Sequence, residues 1–221
     1  MSCAIIMKKH SLYKEIIRKL FHLMELPVLL AYTLLRQYFS QRVGILGLTL
    51  LFLILLEVEY VRLEYMPKLP NFIALRKREM NNVTGTIFFI AATIIAFSAF
   101  DYPIAMTAML LTIFGDLASA LIGIKFGRHK IHKNKTLEGF LGGLAVNCVI
   151  GYLFLPLYPV IFLSMAFVAS IVELFTGKLD DNLTIPLFAA FTGQMIAYFL
   201  AIPLAVFPGP IMESFLKFFH F

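Results

Sequence analysis

The chain has little charge and almost no cysteine. Of its 221 residues, 14% are Asp, Glu, Lys or Arg, against 60% that are hydrophobic. So few charges cannot cover the surface of a soluble domain of this size, which excludes a soluble globular protein. The two cysteines, Cys3 and Cys148, lie far apart, one at the N-terminus and one in an apolar run. Neither a disulfide nor a metal cluster follows from them. The alternating ten-residue segments of an outer-membrane barrel are missing. A Walker A sequence, a glycine loop of the protein-kinase type and a Cys/His metal pattern are missing too, so any bound nucleotide needs another architecture. No cleavable signal peptide is expected, because the basic start leads into an apolar run over 21–38 that is long enough to remain as a span.

What the chain does have is a series of apolar runs near the roughly 20 residues that cross a bilayer. Seven spans are expected, at about 20–38, 43–60, 83–100, 103–124, 140–155, 160–175 and 184–206. The fold class that follows is all-α, a polytopic membrane helix bundle forming a single domain over 1–221. Residues 1–19 read as a basic amphipathic segment and 208–221 as an interfacial tail. With the N-terminus in the cytoplasm, sixteen of the 19 Lys and Arg fall on inner segments, and only Arg36, Arg42 and Lys217 fall outside. That asymmetry fixes the expected orientation and accounts for the net charge of +6 without a nucleic-acid partner. The expected location is an integral, multi-pass one, in the cell membrane or, in a eukaryote, the endoplasmic reticulum. The sequons at Asn82, Asn134 and Asn182 then lie on the cytoplasmic side, where they are not glycosylated.

The unusual polar residues collect on that inner side. Asp116 stands in the fourth span about eight residues from its inner end, roughly 12 Å deep at 1.5 Å per residue. A carboxylate at that depth needs a metal ion, a basic partner or a water-filled cavity, so it marks a functional site. Gly115, Ser119, Gly123 and Gly127 follow at intervals of four. Such a small-residue stripe serves close helix packing, or leaves bare backbone that admits a phosphate-bearing ligand. The basic loop 125–138 carries Lys125, Arg128, Lys130, Lys133 and Lys135 with His129 and His132, and runs into Lys135-Thr136-Leu137-Glu138-Gly139 at a helix start. Basic loops commonly meet lipid head groups. Helix N-termini favour phosphate, and Thr136 is equally a plain N-cap. Asp180-Asp181-Asn182 is a second acidic group on the same side, either a solvated turn or a partner to Asp116 around Mg²⁺ and phosphates. Glu173 and Glu57 could join such a network, or pair with Arg62 or Lys178. Arg18 and His22 share a helical face with Glu15 and Glu25, and Lys19 and Glu79 complete the inner-face set.

In order along the chain, Glu15-x-x-Arg18-Lys19-x-x-His22, Arg78-Glu79 with Gly85, Gly115-Asp116 with Gly123 and Gly127, Lys135-Thr136-x-Glu138-Gly139 and Asp180-Asp181-Asn182-Leu-Thr-Ile-Pro186 resemble the membrane lipid-alcohol kinases. That group includes dolichol kinase, phytol kinase and the CTP-dependent diacylglycerol kinase, within a wider set containing phosphatidate cytidylyltransferase. The resemblance spans nearly the whole chain and departs at Thr136, where serine is common. It implies CTP or another nucleoside triphosphate as co-substrate, a divalent metal such as Mg²⁺, and a polyprenol, phytol-type alcohol or diacylglycerol as acceptor.

On that resemblance, Asp116, Asp180 and Asp181 are the expected metal ligands. Gly115, Gly123, Gly127, Arg128, Lys135, Thr136 and Gly139 are the expected phosphate-binding set. Asp116, Lys135, Glu138 and His22 are the expected catalytic residues, supported by Arg18, Lys19, Glu79, Glu173 and Asn182. The site faces the cytoplasm and the lipid bilayer supplies the acceptor. Two alternatives stay open: a CDP-lipid synthase, against which stands the lack of that branch's Pro-Gly-His-Gly-Gly and Asp-Arg-x-Asp signature, and a small ion-coupled transporter. Neither the acceptor nor the oligomeric state follows from the sequence.

Overall fold

The computed structural model describes residues 23–65, 83–132, 135–176, 179–202 and 204. After a single 3₁₀ turn at Leu23–Glu25, seven α-helices follow among the described residues: α1 (Leu26–Tyr38), α2 (Gln41–Tyr65), α3 (Gly85–Ala99), α4 (Tyr102–Phe126), α5 (Leu137–Phe154), α6 (Pro159–Phe175) and α7 (Asp181–Phe199). Each falls on one of the seven apolar runs. Most of α2 (Gln41–Glu64), all of α4 and all of α5 are long and apolar enough to cross a membrane, and α3 and α6 are shorter apolar helices. The terminal segments 1–19 and 208–221 lie outside the described residues.

Local chemistry sets the helix ends. Pro27, Pro103 and Pro159 stand in the first turns of α1, α4 and α6, where a missing N–H costs nothing. Thr136 and Asp180 cap α5 and α7 with side-chain oxygens that accept from Gly139 N and Asn182 N. Pro186 lies inside α7 and removes one backbone donor there.

The chain divides into two compact units, residues 1–94 and 95–221, with the division falling inside α3. In the first, Tyr32 of α1 packs over Gly44 of α2, and Leu35 lies over Gly47. The buried carboxylate near the end of α2 is Glu59, not Glu57, which is exposed. Glu59 takes two bonds from Arg62, at 2.7 and 2.9 Å, and one from Thr84 N at 2.7 Å. The ion pair anticipated for Glu57 is thus made one half-turn further on.

In the second unit, α4 packs against α5, α6 and α7, with α6 also against α5 and α7. Ile104, Leu111, Leu155, Phe162, Met165 and Ile185 form its core, with alanines filling the close crossings. At one end Asp101 and Gln194 exchange hydrogen bonds of 2.8 and 2.9 Å, which tie the start of α4 to α7. At the other end the basic segment is not an open loop. It forms a short antiparallel hairpin, β1 (Lys130–His132) and β2 (Lys135–Thr136), with Lys130 opposite Thr136 and His132 opposite Lys135. Leu137 N donates to His129 O at 2.8 Å and closes it. α5 therefore begins directly at Leu137, earlier than its hydropathy indicates.

Candidate active site

The site lies in the second unit, where the last turns of α4 and α6 meet the hairpin and the first turns of α5. Asp116 and Glu173 are buried at 8% and 6% exposure. A carboxylate in an apolar bundle must be compensated by neighbours, and for Glu173 the structure supplies them. Lys135, carried by β2, donates to the Glu173 backbone oxygen at 2.6 Å and to Glu173 Oε1 at 3.0 Å. Ser119, one turn beyond Asp116 on α4, donates to the same Oε1. Its hydroxyl also lies 3.2 Å from the Asp116 carbonyl oxygen. Asp116 and Glu173 are close enough to act on each other electrostatically. Two segments far from α6 in sequence, α4 and the hairpin, therefore converge on its Glu173 carboxylate.

The helices come this close because side chains are missing between them. A β-carbon at Gly139 would lie 2.8 Å from the Ser119 carbonyl oxygen, 3.1 Å from Gly123 Cα and 3.1 Å from Thr136 Oγ1. One at Gly127 would run into the Gly123 carbonyl and the Thr136 side chain. Gly115, Gly123, Gly127 and Gly139 thus bring α4, the hairpin and α5 into contact, the packing side of the two readings open for the stripe. Thr136 Oγ1 sits among them and accepts from Gly139 N at 3.2 Å.

Glu138 does something the sequence did not indicate. Its carboxylate accepts from Arg128 N at 3.0 Å, from His129 N at 3.2 Å and from His129 Nδ1 at 2.7 Å. It gathers the turn after α4 and sets the base of the hairpin. Arg128 and His129 are exposed. Asp180 accepts from Asn182 N at 3.1 Å, and Thr184 Oγ1 donates to the Asp180 carbonyl at 3.1 Å. With the half-buried Asp181 and buried Asn182 they start α7, a few residues after Glu173. Arg18, Lys19, His22 and Glu79 lie outside the described residues.

One polar residue escaped the sequence reading. Asn147, on α5, is 1% exposed and lies against Gly115; its Nδ2 donates to Ser170 Oγ of α6 at 3.1 Å. A lone amide within an apolar run is a signal of the same kind as Asp116, and would have flagged it.

Comparison with known proteins bears on this geometry. The model of the cytidylyltransferase family matches residues 2–217. CTP-dependent diacylglycerol kinase 1 of Eremothecium gossypii is 29% identical over 154 residues, 56% of this chain and 48% of that protein. The protein of the same name in Schizosaccharomyces pombe is 29% identical over 134 residues, 52% of this chain and 62% of that one. An uncharacterized protein of Methanocaldococcus jannaschii is 30% identical over 131 residues, 58% of this chain and 66% of its own length. The chain thus spans between about half and just under two thirds of these relatives. No solved structure matches it significantly.

Proposed function

The chain belongs to the cytidylyltransferase family, and from that premise we propose that it is an integral-membrane, multi-pass lipid kinase that uses CTP. It transfers the γ-phosphoryl group to the hydroxyl of a diacylglycerol, or of a polyprenol- or phytol-type alcohol, at the inner leaflet. The observation that carries this reading is the Lys135–Glu173–Ser119 cluster beside Asp116. It is a charged, hydrogen-bonded site at the end of apolar helices, where a lipid head group and a soluble nucleotide can meet. The relatives named as CTP-dependent diacylglycerol kinases support CTP and diacylglycerol over other pairs.

Phosphoryl transfer rests on placing the phosphates and offsetting their charge. Lys135 and Arg128 serve that end here, at the base of the hairpin. Among the described residues no three His, Cys, Asp or Glu side chains converge as a metal cage. Mg²⁺ needs no such cage; one or two carboxylates with phosphate oxygens and water suffice. On this reading the ion arrives on the nucleotide, and Asp116, Asp180 and Asp181 are the carboxylates that would hold it from the protein side. Such an ion would offset triphosphate charge there.

The test is purified protein with Mg²⁺, labelled CTP and a panel of diacylglycerol, phytol and polyprenol. Label from the γ-position is expected in the lipid. Label from the α-position, with pyrophosphate released, would make the protein a CDP-lipid synthase. No transfer from either position would remove both.

A further inference from the structure

The kinase reading leaves Glu173 without a task. A carboxylate beside a triphosphate site repels the ligand, and burying it in an apolar bundle costs more. Its contacts supply a reason. Lys135 leaves a two-residue strand and its side chain is 33% exposed, so unrestrained it would sample many rotamers. Instead its Nζ donates to two acceptors of Glu173, at 2.6 and 3.0 Å. An ammonium has three hydrogens, so one remains for a phosphate oxygen. Ser119 donates to the same Glu173 oxygen and links that carboxylate to α4 beside Asp116. From these contacts we infer that Glu173 is a positioning residue: it holds the Lys135 ammonium at a fixed point between α6 and the hairpin, where one hydrogen meets the nucleotide phosphate. This rests on the reading that CTP binds here.

Positioning and simple repulsion predict opposite signs. If Glu173 only repels, removing its charge tightens CTP binding. If it positions Lys135, removal loosens binding, and only while Lys135 is present. The experiment measures equilibrium binding of CTP with Mg²⁺ to the full chain in detergent, without acceptor, so it does not depend on which bond is later broken. Glu173→Leu should weaken binding about tenfold, the scale of one charge-assisted hydrogen bond. In a Lys135→Met background the same change should leave affinity level or raise it. Glu173→Gln keeps the shape and a neutral acceptor, and serves if the leucine variant does not fold; it should weaken binding about threefold, since a neutral hydrogen bond is about half as strong. In turnover assays the loss should appear in KM for CTP more than in kcat. Tighter or unchanged binding in the Glu173 variants overturns the inference, as does equal weakening with and without Lys135. If the unaltered chain binds no CTP, the kinase reading falls and this inference with it; if it binds CTP but ignores Glu173, only the inference falls.

Discussion

Glycine 115 shows what a single residue contributes here. A β-carbon on it would run into the amide of Asn147, which is itself fixed by Ser170. Neither partner can yield without disturbing the residue next in line, which is Asp116 on one side and the Ser170–Glu173 turn on the other. Gly115→Ala should therefore lower thermal stability in detergent by about 1–3 kcal/mol, the usual cost of overpacking a well-filled core. Adding Asn147→Ala should recover much of it, because the space the methyl needs is then empty. A Gly115→Ala protein that melts like the parent, or is not rescued, would mean that the crossing of α4 and α5 is looser than this contact implies. The sequence made Asp116 conspicuous because a carboxylate in an apolar run is rare. Asn147 carries the same kind of cost, but a neutral amide in a run of Leu, Val and Gly is easily passed over. Its partner could not have been named at all, since which side chains face one another across α5 and α6 depends on helix rotation and crossing, and neither is written in hydropathy.

At the scale of elements, the seven helices were legible because apolar length is a direct consequence of needing to bury backbone in hydrocarbon. The hairpin was not. Its residues, Lys-Ile-His and Lys-Thr, have no alternation long enough to signal a strand. What makes it is Glu138, a residue of the next helix that collects the amides of Arg128 and His129, together with the Thr136 cap. Two consequences follow. Thr136→Ala should cost about 1 kcal/mol through loss of the cap, while Thr136→Ser should cost little. Glu138→Ala should release the turn after α4, so amide hydrogen exchange at Arg128 and His129 should speed up while that of the α4 interior stays slow. Unchanged exchange at those two amides would show that the strand pairing alone holds the hairpin, and Glu138 would return to the list of groups free to serve chemistry.

For the whole molecule the decisive property is orientation, which rests on charge rather than on contacts. Lys125, Arg128, Lys130 and Lys135 lie in or beside the hairpin, whereas the turn between α5 and α6 carries Leu155, Pro156, Leu157 and Tyr158 with no charge at all. α5 separates the two ends by 18 residues, about 27 Å of helix, close to the thickness of the hydrocarbon core. On the proposed topology the hairpin faces the cytoplasm and Leu157, one of the most exposed apolar residues of the second unit, faces out. Two single-cysteine proteins test this, Ile131→Cys and Leu157→Cys, each in a background where Cys3 and Cys148 are replaced. A membrane-impermeant maleimide applied to intact cells should label position 157 at once and position 131 only after permeabilisation. Labelling at both positions without permeabilisation would mean that α5 does not cross. The reverse pattern would put Lys135, Glu173 and Asp116 on the outer side, away from the cytoplasmic pool of CTP, and a kinase drawing on that pool could not work there. The orientation of one helix thus decides whether the cluster at its end can meet its proposed nucleotide.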